Sequence, residues 1–518
     1  MKLISYMAST ISLLAQVNVL TANYGNERTN ANLQEVTLKT SNVNPASFGK
    51  LTSLPVDGQI YAQPLFVSGV KMPGAETKDV LFVATMNNSV YAFDATGLSR
   101  SLWHVHLGTP VPSSALNFID ITPKVGILST PVIDTTLNAI YVVSDSYESG
   151  APVFRLHALD LASGKEILGG PTTITAAVQG GTDEDGMIAF DPQQHLQRPA
   201  LLLSNSTVYL AFGSHADESP YHGWILAYDA SDITRQVAIF NSTPGGSSGS
   251  IWQAGRGLAA TPDGDVYAAT ANGDYDGIAN FSQCFLRLRQ DLTIVDWFAP
   301  ADWKPLSDSD SDIGTLGPVL VPGTNLVIGG DKVGNLYLLD RGHMGQLGVD
   351  GSSYPQILLA ASAAGIFNIA LWWRGDEAII YVVHVGAWTK AFRLINGQIE
   401  ASPFSQTTVM SDRPFQGMAI SANGATAGSG ILWLTTGDHD GAGSPGTLHA
   451  LDALNLNELW NSDMNGAQDR LGALAKFANP TVVNGRVYVA TFSGEVVVYG
   501  LMDGERPLNN DRRWHGRQ

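Results

Sequence analysis

Leu156–Lys165 reads LHALDLASGK, a short strand of alternating character that runs into a tight turn. Leu156, Ala158 and Leu159 supply the apolar content. Asp160 can bond back into its own turn, and Ser163-Gly164 lets the chain reverse. The phrase returns nearly word for word at Leu448–Asn455 (LHALDALN), and more loosely six more times. Aligned on Asp160, the eight registers end at Asp94, Asp160, Asp229, Arg289, Asp340, Arg393, Asp452 and Gly500. The intervals run from 48 to 69 residues with a mean of 58. Self-similarity at this period, with strand character in every unit, signals a propeller or solenoid.

Each unit keeps one internal order. A first strand often opens on proline, as at Pro64, Pro131, Pro318 and Pro480. A strongly β-branched second strand follows, such as AIYVVS from Ala139, TVYLAF from Thr207 or RVYVAT from Arg486. The hairpin strand comes third and a wetter strand fourth, such as Leu102–Leu107 or Glu458–Ser462. Middle strands that are almost continuously apolar are packed on both faces, which is the condition of a propeller blade. The eighth unit has no fourth strand of its own before the polar, basic tail Asp503–Gln518. Phe48–Val56 (FGKLTSLPV) has fourth-strand character and precedes the first unit, so it is expected to complete the last blade and close the ring. Closure removes the sheet edges that invite aggregation. The expected fold class is therefore all-β, an eight-bladed propeller of four-stranded antiparallel blades. Seven blades result if the unit around Phe367–Phe392 folds differently.

The composition agrees and excludes several functions. Among 518 residues only 15% are charged, while glycine numbers 54 and proline 25, a turn-rich and charge-poor mixture suited to an all-β chain. A net charge of −18 argues against nucleic acid or an anionic membrane as partner, since phosphate contacts need Lys and Arg. No apolar run is long enough to predict a membrane span. Met1–Ala15, with Lys2 ahead of an apolar stretch and small residues, reads as a short secretory signal. The expected divisions are this signal at 1–15, an N-terminal extension at 16–47, the propeller at 48–501 and a polar tail at 502–518. Cys284 is the single cysteine, so no disulfide framework or Cys-x-x-Cys-His haem site is available. An exported chain without disulfides suits a bacterial periplasm or exterior.

In a propeller, the loops before first strands and after second strands share one face around the central channel. That rule collects Gln63, Arg198, Gln253, Arg256, Arg413 and Arg470 from the first set, and His215, Asp217, Lys332, His384, Asp438 and His439 from the second. A polar loop residue taken alone needs no ligand to explain it. As a set these long polar side chains point to a polar or anionic ligand at the channel mouth. The acidic run Asp308–Asp312 (DSDSD) puts Asp308, Asp310 and Asp312 at alternate positions, a candidate calcium loop, although it lacks the glycine and closing glutamate of a helix-flanked twelve-residue site. His104 and His106 share one face of an outer strand with no third ligand in sequence. No phosphate-binding loop, nucleophile elbow or His-Glu-x-x-His motif occurs.

The units resemble the pyrroloquinoline-quinone-type propeller repeat, an apolar strand followed by Ala-Leu-Asp-x-x-x-Gly-Lys and then Trp. Ala158-Leu159-Asp160 with Gly164-Lys165 fits it; Ala92-Phe93-Asp94 with Trp103, and Ala450-Leu451-Asp452 with Trp460, fit parts. The phrases VDGQIYAQPLFV (from Val56), SPYHGWILAYDAS (from Ser219) and GSIWQAGRG (from Gly249) resemble a group of exported bacterial proteins of this class. For a quinoprotein dehydrogenase the resemblance implies pyrroloquinoline quinone (PQQ) stacked in the channel on calcium, an aspartate base, and oxidation of an alcohol or sugar. Arg198, Arg256, Lys332 or Arg470 would then hold the quinone carboxylates, and Asp217, Asp274 or Asp438 would act as base or calcium ligand. The adjacent cysteine pair that many such enzymes place beside the cofactor has no counterpart here. Other propellers of the class hold no cofactor and bind proteins, as the outer-membrane assembly lipoprotein does. The expectation from the residues is an exported platform that binds a small ligand or another exported protein through its channel face.

Overall fold

Eight small antiparallel sheets stand in a ring around a central axis, and each carries one copy of the repeat. The computed structural model describes residues 17–98, 101–116, 121–181, 186–348, 356–360, 365–411, 413–414, 416–437, 445–502 and 504. The signal expected at 1–15, and the tail apart from Met502 and Gly504, lie outside the described residues. The inner strands of blades 1 to 8 are Leu65–Lys71, Val132–Asp134, Leu202–Ser204, Ala259–Ala260, Val319–Leu320, Ile366–Trp373, Met418–Ser421 and Thr481–Val483. The unit around Phe367–Phe392 is an ordinary blade, so the count is eight and not seven. Phe48–Pro55 pairs antiparallel with Glu495–Leu501 and supplies the fourth strand of blade 8, which closes the ring. Among the described residues no helix is long and apolar enough to cross a membrane.

The repeat consensus is explained by contacts between blades. The tyrosine of the second strand reaches the next blade's outer turn. Tyr141 donates to Ala230 O at 2.6 Å, Tyr209 to Gln290 O at 3.0 Å and Tyr381 to Ala453 O at 2.7 Å. A buried phenol needs such an acceptor, and the neighbouring turn has a carbonyl to spare. The best-preserved turn does more. Asp160 Oδ2 accepts from Asn138, and its Oδ1 from Ser163, while the Gly164 amide bonds Asp160 O. Trp103 of blade 1 docks on this turn of blade 2, with its indole N–H on Leu161 O at 2.9 Å. Gly164 has φ +69, and a Cβ there would lie 2.7 Å from the Trp103 ring. Both requirements select glycine. At blade 7 the corresponding Trp460 is buried, and its indole N–H has no partner among the described residues. The partly degraded motif there keeps the packing and loses the hydrogen bond.

Residues 17–47, expected as an extension outside the propeller, are built into it. From Val19 to Asn32 the chain circles the axis and bonds the inner strand of every blade. Val19 pairs with Phe66, and Leu20 O accepts from Ile133 N. Arg28 Nη2 and Asn26 Nδ2 donate to Leu201 O and Leu203 O. Asn26 O, Glu27 O, Thr29 O and Asn30 O accept from Ala260, Leu320, Leu371 and Ile420 amides at 2.8–2.9 Å. Asn32 Nδ2 reaches Val482 O of blade 8, and Ala31–Asn32 also runs as a fifth, parallel strand beside Met418–Ser421. First strands leave one set of edge groups facing the axis, and this segment satisfies them without threading through the ring.

Candidate functional site

The channel behind this plug is filled by a polar network. Arg28 is fully buried; it donates through Nε to Leu258 O, through Nη1 to Thr21 Oγ1 and Ala22 O, and through Nη2 to Leu201 O. Arg256, expected as a ligand cation, donates to Arg28 O, Asn368 Oδ1 and Ile369 O. Burial holds both guanidinium groups down to a pKa of about 9, and Arg28 adds like-charge repulsion at Arg256. They remain cations at neutral pH, neutralised by carbonyl dipoles. Gln63 belongs to the same network, accepting from Asn23 N at 2.9 Å and donating to Thr481 Oγ1 at 3.2 Å. Gln253 accepts from Ala269 N through Oε1. These three expected ligand residues serve the closure of the channel.

Above the network, on the loop face, the axis is capped by aromatic rings. Tyr61 packs on Phe477 and Phe492, with centroids 6.0 and 4.5 Å apart. The Arg198 guanidinium lies 5.1 Å from the Trp252 ring and 4.1 Å from Phe477. A planar quinone would need an open aromatic face and free cations in the channel. Arg198 covers the face of Trp252, and Arg256 is consumed by carbonyls, so the channel residues do not fit the cofactor.

The other expected residues separate into three groups. Lys332 Nζ bridges Asp310 Oδ1 and Asp312 Oδ2, both at 2.6 Å, and Asn272 Nδ2 also donates to Asp310. Asp217 accepts from Tyr221 OH at 2.9 Å; burial pushes its carboxyl up, and Asp312 adds repulsion while Lys332 offsets it. Lys332, Asp217, Asp310 and Asp312 therefore share one patch over blades 3 to 5. Asp308 turns away to pair with Lys304, so the alternate carboxylates do not converge on a calcium ion, and a lysine ammonium neutralises the two that approach. Among the described residues no three His, Cys, Asp or Glu side chains are grouped to hold a metal. His215 and His384 are buried, whereas Arg413 and Arg470 are exposed. Asp438 and His439 lie outside the described residues. His104 stacks on Tyr91 with centroids 4.1 Å apart, and its neighbour His106 approaches Ser89.

Two features escaped the sequence. One is an open cleft of about 440 Å3 on the loop face, between Asp57–Gln59, Met86-Asn87, Lys124 and Phe492. Phe492 and Met86 line it with apolar surface, Lys124 brings a cation, and the buried Gln59 Oε1 has no partner among the described residues. The other is a hydrogen-bond chain with the look of a hydrolytic triad. Ser144 Oγ lies 2.9 Å from His157 Nε2, whose Nδ1 meets Glu166 Oε1 at 2.5 Å. Thr436, His449 and Glu458 repeat it in blade 7 at 2.8 and 2.6 Å. The histidines are those of the two LHALD copies. Ser144 has no exposed surface, so no substrate can reach it, and recurrence at one repeat position marks a cross-strand brace.

No protein-family model matches the chain, and no curated protein matches it either. Solved structures do. A quinohemoprotein alcohol dehydrogenase from Comamonas testosteroni aligns at 14% identity with a TM-score of 0.63, covering 95% of this chain and 81% of that one. The shared fold is the eight-bladed propeller. A europium-containing methanol dehydrogenase aligns at 15% identity and 0.60, covering 95% of this chain and 99% of that one. Saccharomyces cerevisiae Sqt1 aligns at 11% and 0.50, covering 89% and 100%. At such identities the likeness is one of fold.

Proposed function

We propose that this propeller is an exported binding platform that meets a small ligand or another exported protein on its loop face, with no quinone in its channel. The observation that carries the reading is the Arg198 guanidinium seated between Trp252 and Phe477, where a stacked cofactor would need room. The open cleft beside Phe492 and Lys124 is the contact point, offering apolar surface and the Lys124 cation with Asn87 beside it. Such a mixture of apolar area and few convergent polar groups is what binding sites present. The quinone-dependent dehydrogenase reading rests on the resemblance of the repeat and the likeness of fold.

The test is to incubate the purified chain with micromolar PQQ and calcium and pass it through gel filtration. The expected result is no retained quinone, no quenching of tryptophan fluorescence and no dye-linked alcohol or sugar oxidation. Retention with oxidation would replace this reading by the dehydrogenase one. The binding half is tested by affinity capture from a periplasmic extract with wild type, Lys124→Glu and Phe492→Ala chains. A partner held by wild type and lost by both variants supports the cleft; equal capture by all three refutes it. Export is read from a fusion of residues 1–47 to a reporter active only outside the cytoplasm.

A further inference from the structure

On the plugged face, opposite the loop face, lies a groove of about 500 Å3. Its walls are the N-terminal segment at Leu20, Asn26 and Glu27, and the inner turns of blades 2, 3 and 4. The size falls in the range of small-molecule sites, about 300–1,000 Å3. The plug's contacts Ile133 N–Leu20 O, Asn26 Nδ2–Leu203 O and Ala260 N–Asn26 O belong to its walls, and the Glu27 side chain is not used by them.

The chemistry of the lining selects the ligand. Its charged groups are Glu27 and Asp134, and neither lysine nor arginine lines it. Glu27 makes no side-chain hydrogen bond or ion pair among the described residues, although its charge supports buried Arg28. Asp134 uses Oδ1 for the amides of Thr136 and Leu137, which leaves Oδ2 to the groove. Two carboxylates disfavour an anion. Beside them stand the hydroxyls of Thr135, Thr136 and Ser206 and the Asn205 amide, all exposed and making no side-chain hydrogen bonds among the described residues. An organic cation offers donors only, and would leave the amide N–H groups and hydroxyl protons unmatched. A vicinal diol offers a donor and an acceptor at each oxygen, and a carboxylate can take two of its O–H groups at once. Leu20, Ile133 and Pro262 add apolar surface of the kind a sugar ring's C–H face covers.

We infer that this groove binds a neutral saccharide, with Glu27 and Asp134 as the acceptors of its hydroxyls. The experiment is isothermal titration of the full chain with maltotriose, cellotriose and triacetylchitotriose, and with spermidine and citrate as controls. Saturable binding of at least one trisaccharide is expected, with neither control binding. Glu27→Gln keeps the backbone carbonyl that bonds Leu320, and should weaken binding about tenfold, as loss of a charge-assisted acceptor does. Thr135→Trp, placed at an exposed position, should block the groove outright, while Glu400→Gln, at an exposed position of blade 6 outside both sites, should change nothing. Unfolding midpoints of the variants within a degree or two of wild type exclude misfolding as the cause. No saturable binding by any trisaccharide overturns the inference. So does saccharide binding that survives both groove variants, or spermidine binding in place of the sugars.

Discussion

Arg256→Met separates a structural guanidinium from a ligand-binding one. The side chain makes three hydrogen bonds, to Arg28 O, Asn368 Oδ1 and Ile369 O. Charge-assisted bonds are worth about 1.5–3 kcal/mol each, so the gross loss is roughly 5–9 kcal/mol. Two corrections reduce it. Asn368 Oδ1 and Ile369 O also accept from Asn30 Nδ2, so neither is orphaned; only Arg28 O loses its partner. Removing a desolvated cation also relieves the repulsion with Arg28. Methionine keeps the apolar stem. The net expectation is a loss of about 3 kcal/mol, mostly the unmet Arg28 carbonyl and the loosened plug.

The measurement is urea unfolding followed by tryptophan fluorescence, reading the midpoint and the slope separately. The midpoint should fall with the slope unchanged, and limited proteolysis should cut within residues 17–34 sooner than in wild type. A change under about 0.5 kcal/mol, the size of an ordinary surface substitution, would refute the structural role. Arg256 would then be available to a ligand after all.

Other outcomes follow from single contacts. Gly164→Ala should cost about 2–4 kcal/mol from left-handed backbone and the clash with Trp103, whereas Gly386→Ala, at φ +67 in open space, should cost only about 1–2; equal costs would mean that Trp103 docking contributes nothing. His195 accepts the Trp224 indole N–H on Nε2 and holds its proton toward Asp191 O, and burial depresses its pKa from 6.5 to about 4. As pH falls from 6.5 to 4 the unfolded chain takes the proton first, so about 3 kcal/mol of stability present above pH 6.5 is lost across that window. His195→Gln should flatten this acid limb in pH-resolved urea titrations, and an unaltered slope would count against a buried neutral imidazole. Asp145 is buried with both carboxyl oxygens unpartnered among the described residues, and burial pushes its pKa well up. Asp145→Asn should therefore stabilise the protein by about 1–3 kcal/mol at pH 8 and by little at pH 4; destabilisation at pH 8 would show that the carboxylate has a partner. Tyr141→Phe should cost about 1 kcal/mol by unlatching blade 2 from Ala230, and no change in the unfolding midpoint would remove the latch from the account of the repeat.

The fold was legible because each blade repeats the same solution to one problem. An apolar second strand, its tyrosine and an Asp-closed turn are side-chain requirements, and side chains are what a sequence displays. Phe48–Pro55 could be placed by the same logic, since a missing fourth strand in blade 8 demanded one from elsewhere. The plug could not. Its contacts with the inner strands run largely through main-chain carbonyls of Asn26, Glu27, Thr29 and Asn30, which every residue type carries alike. Nothing in VLTANYGNERTNAN (from Val19) announces a ring of eight partners. That gap also bears on the candidate site. The loop rule collects Arg256 and Gln63 at the channel, but a polar residue facing an axis serves a ligand only if the axis is open. With the carbonyls of residues 22 and 28 waiting inside, the channel's cations had acceptors before any ligand arrived. The loop-face cleft shows the converse. Lys124 and Asn87 line the opening together with Gly58 and Gly494, and a Cβ at Gly58 would lie 3.1 Å from Asn87, a matter of backbone shape that no single residue type signals. Under the proposed function, binding is therefore sought where the closure leaves openings, at the cleft beside Lys124 and Phe492 on one face and at Glu27 on the other.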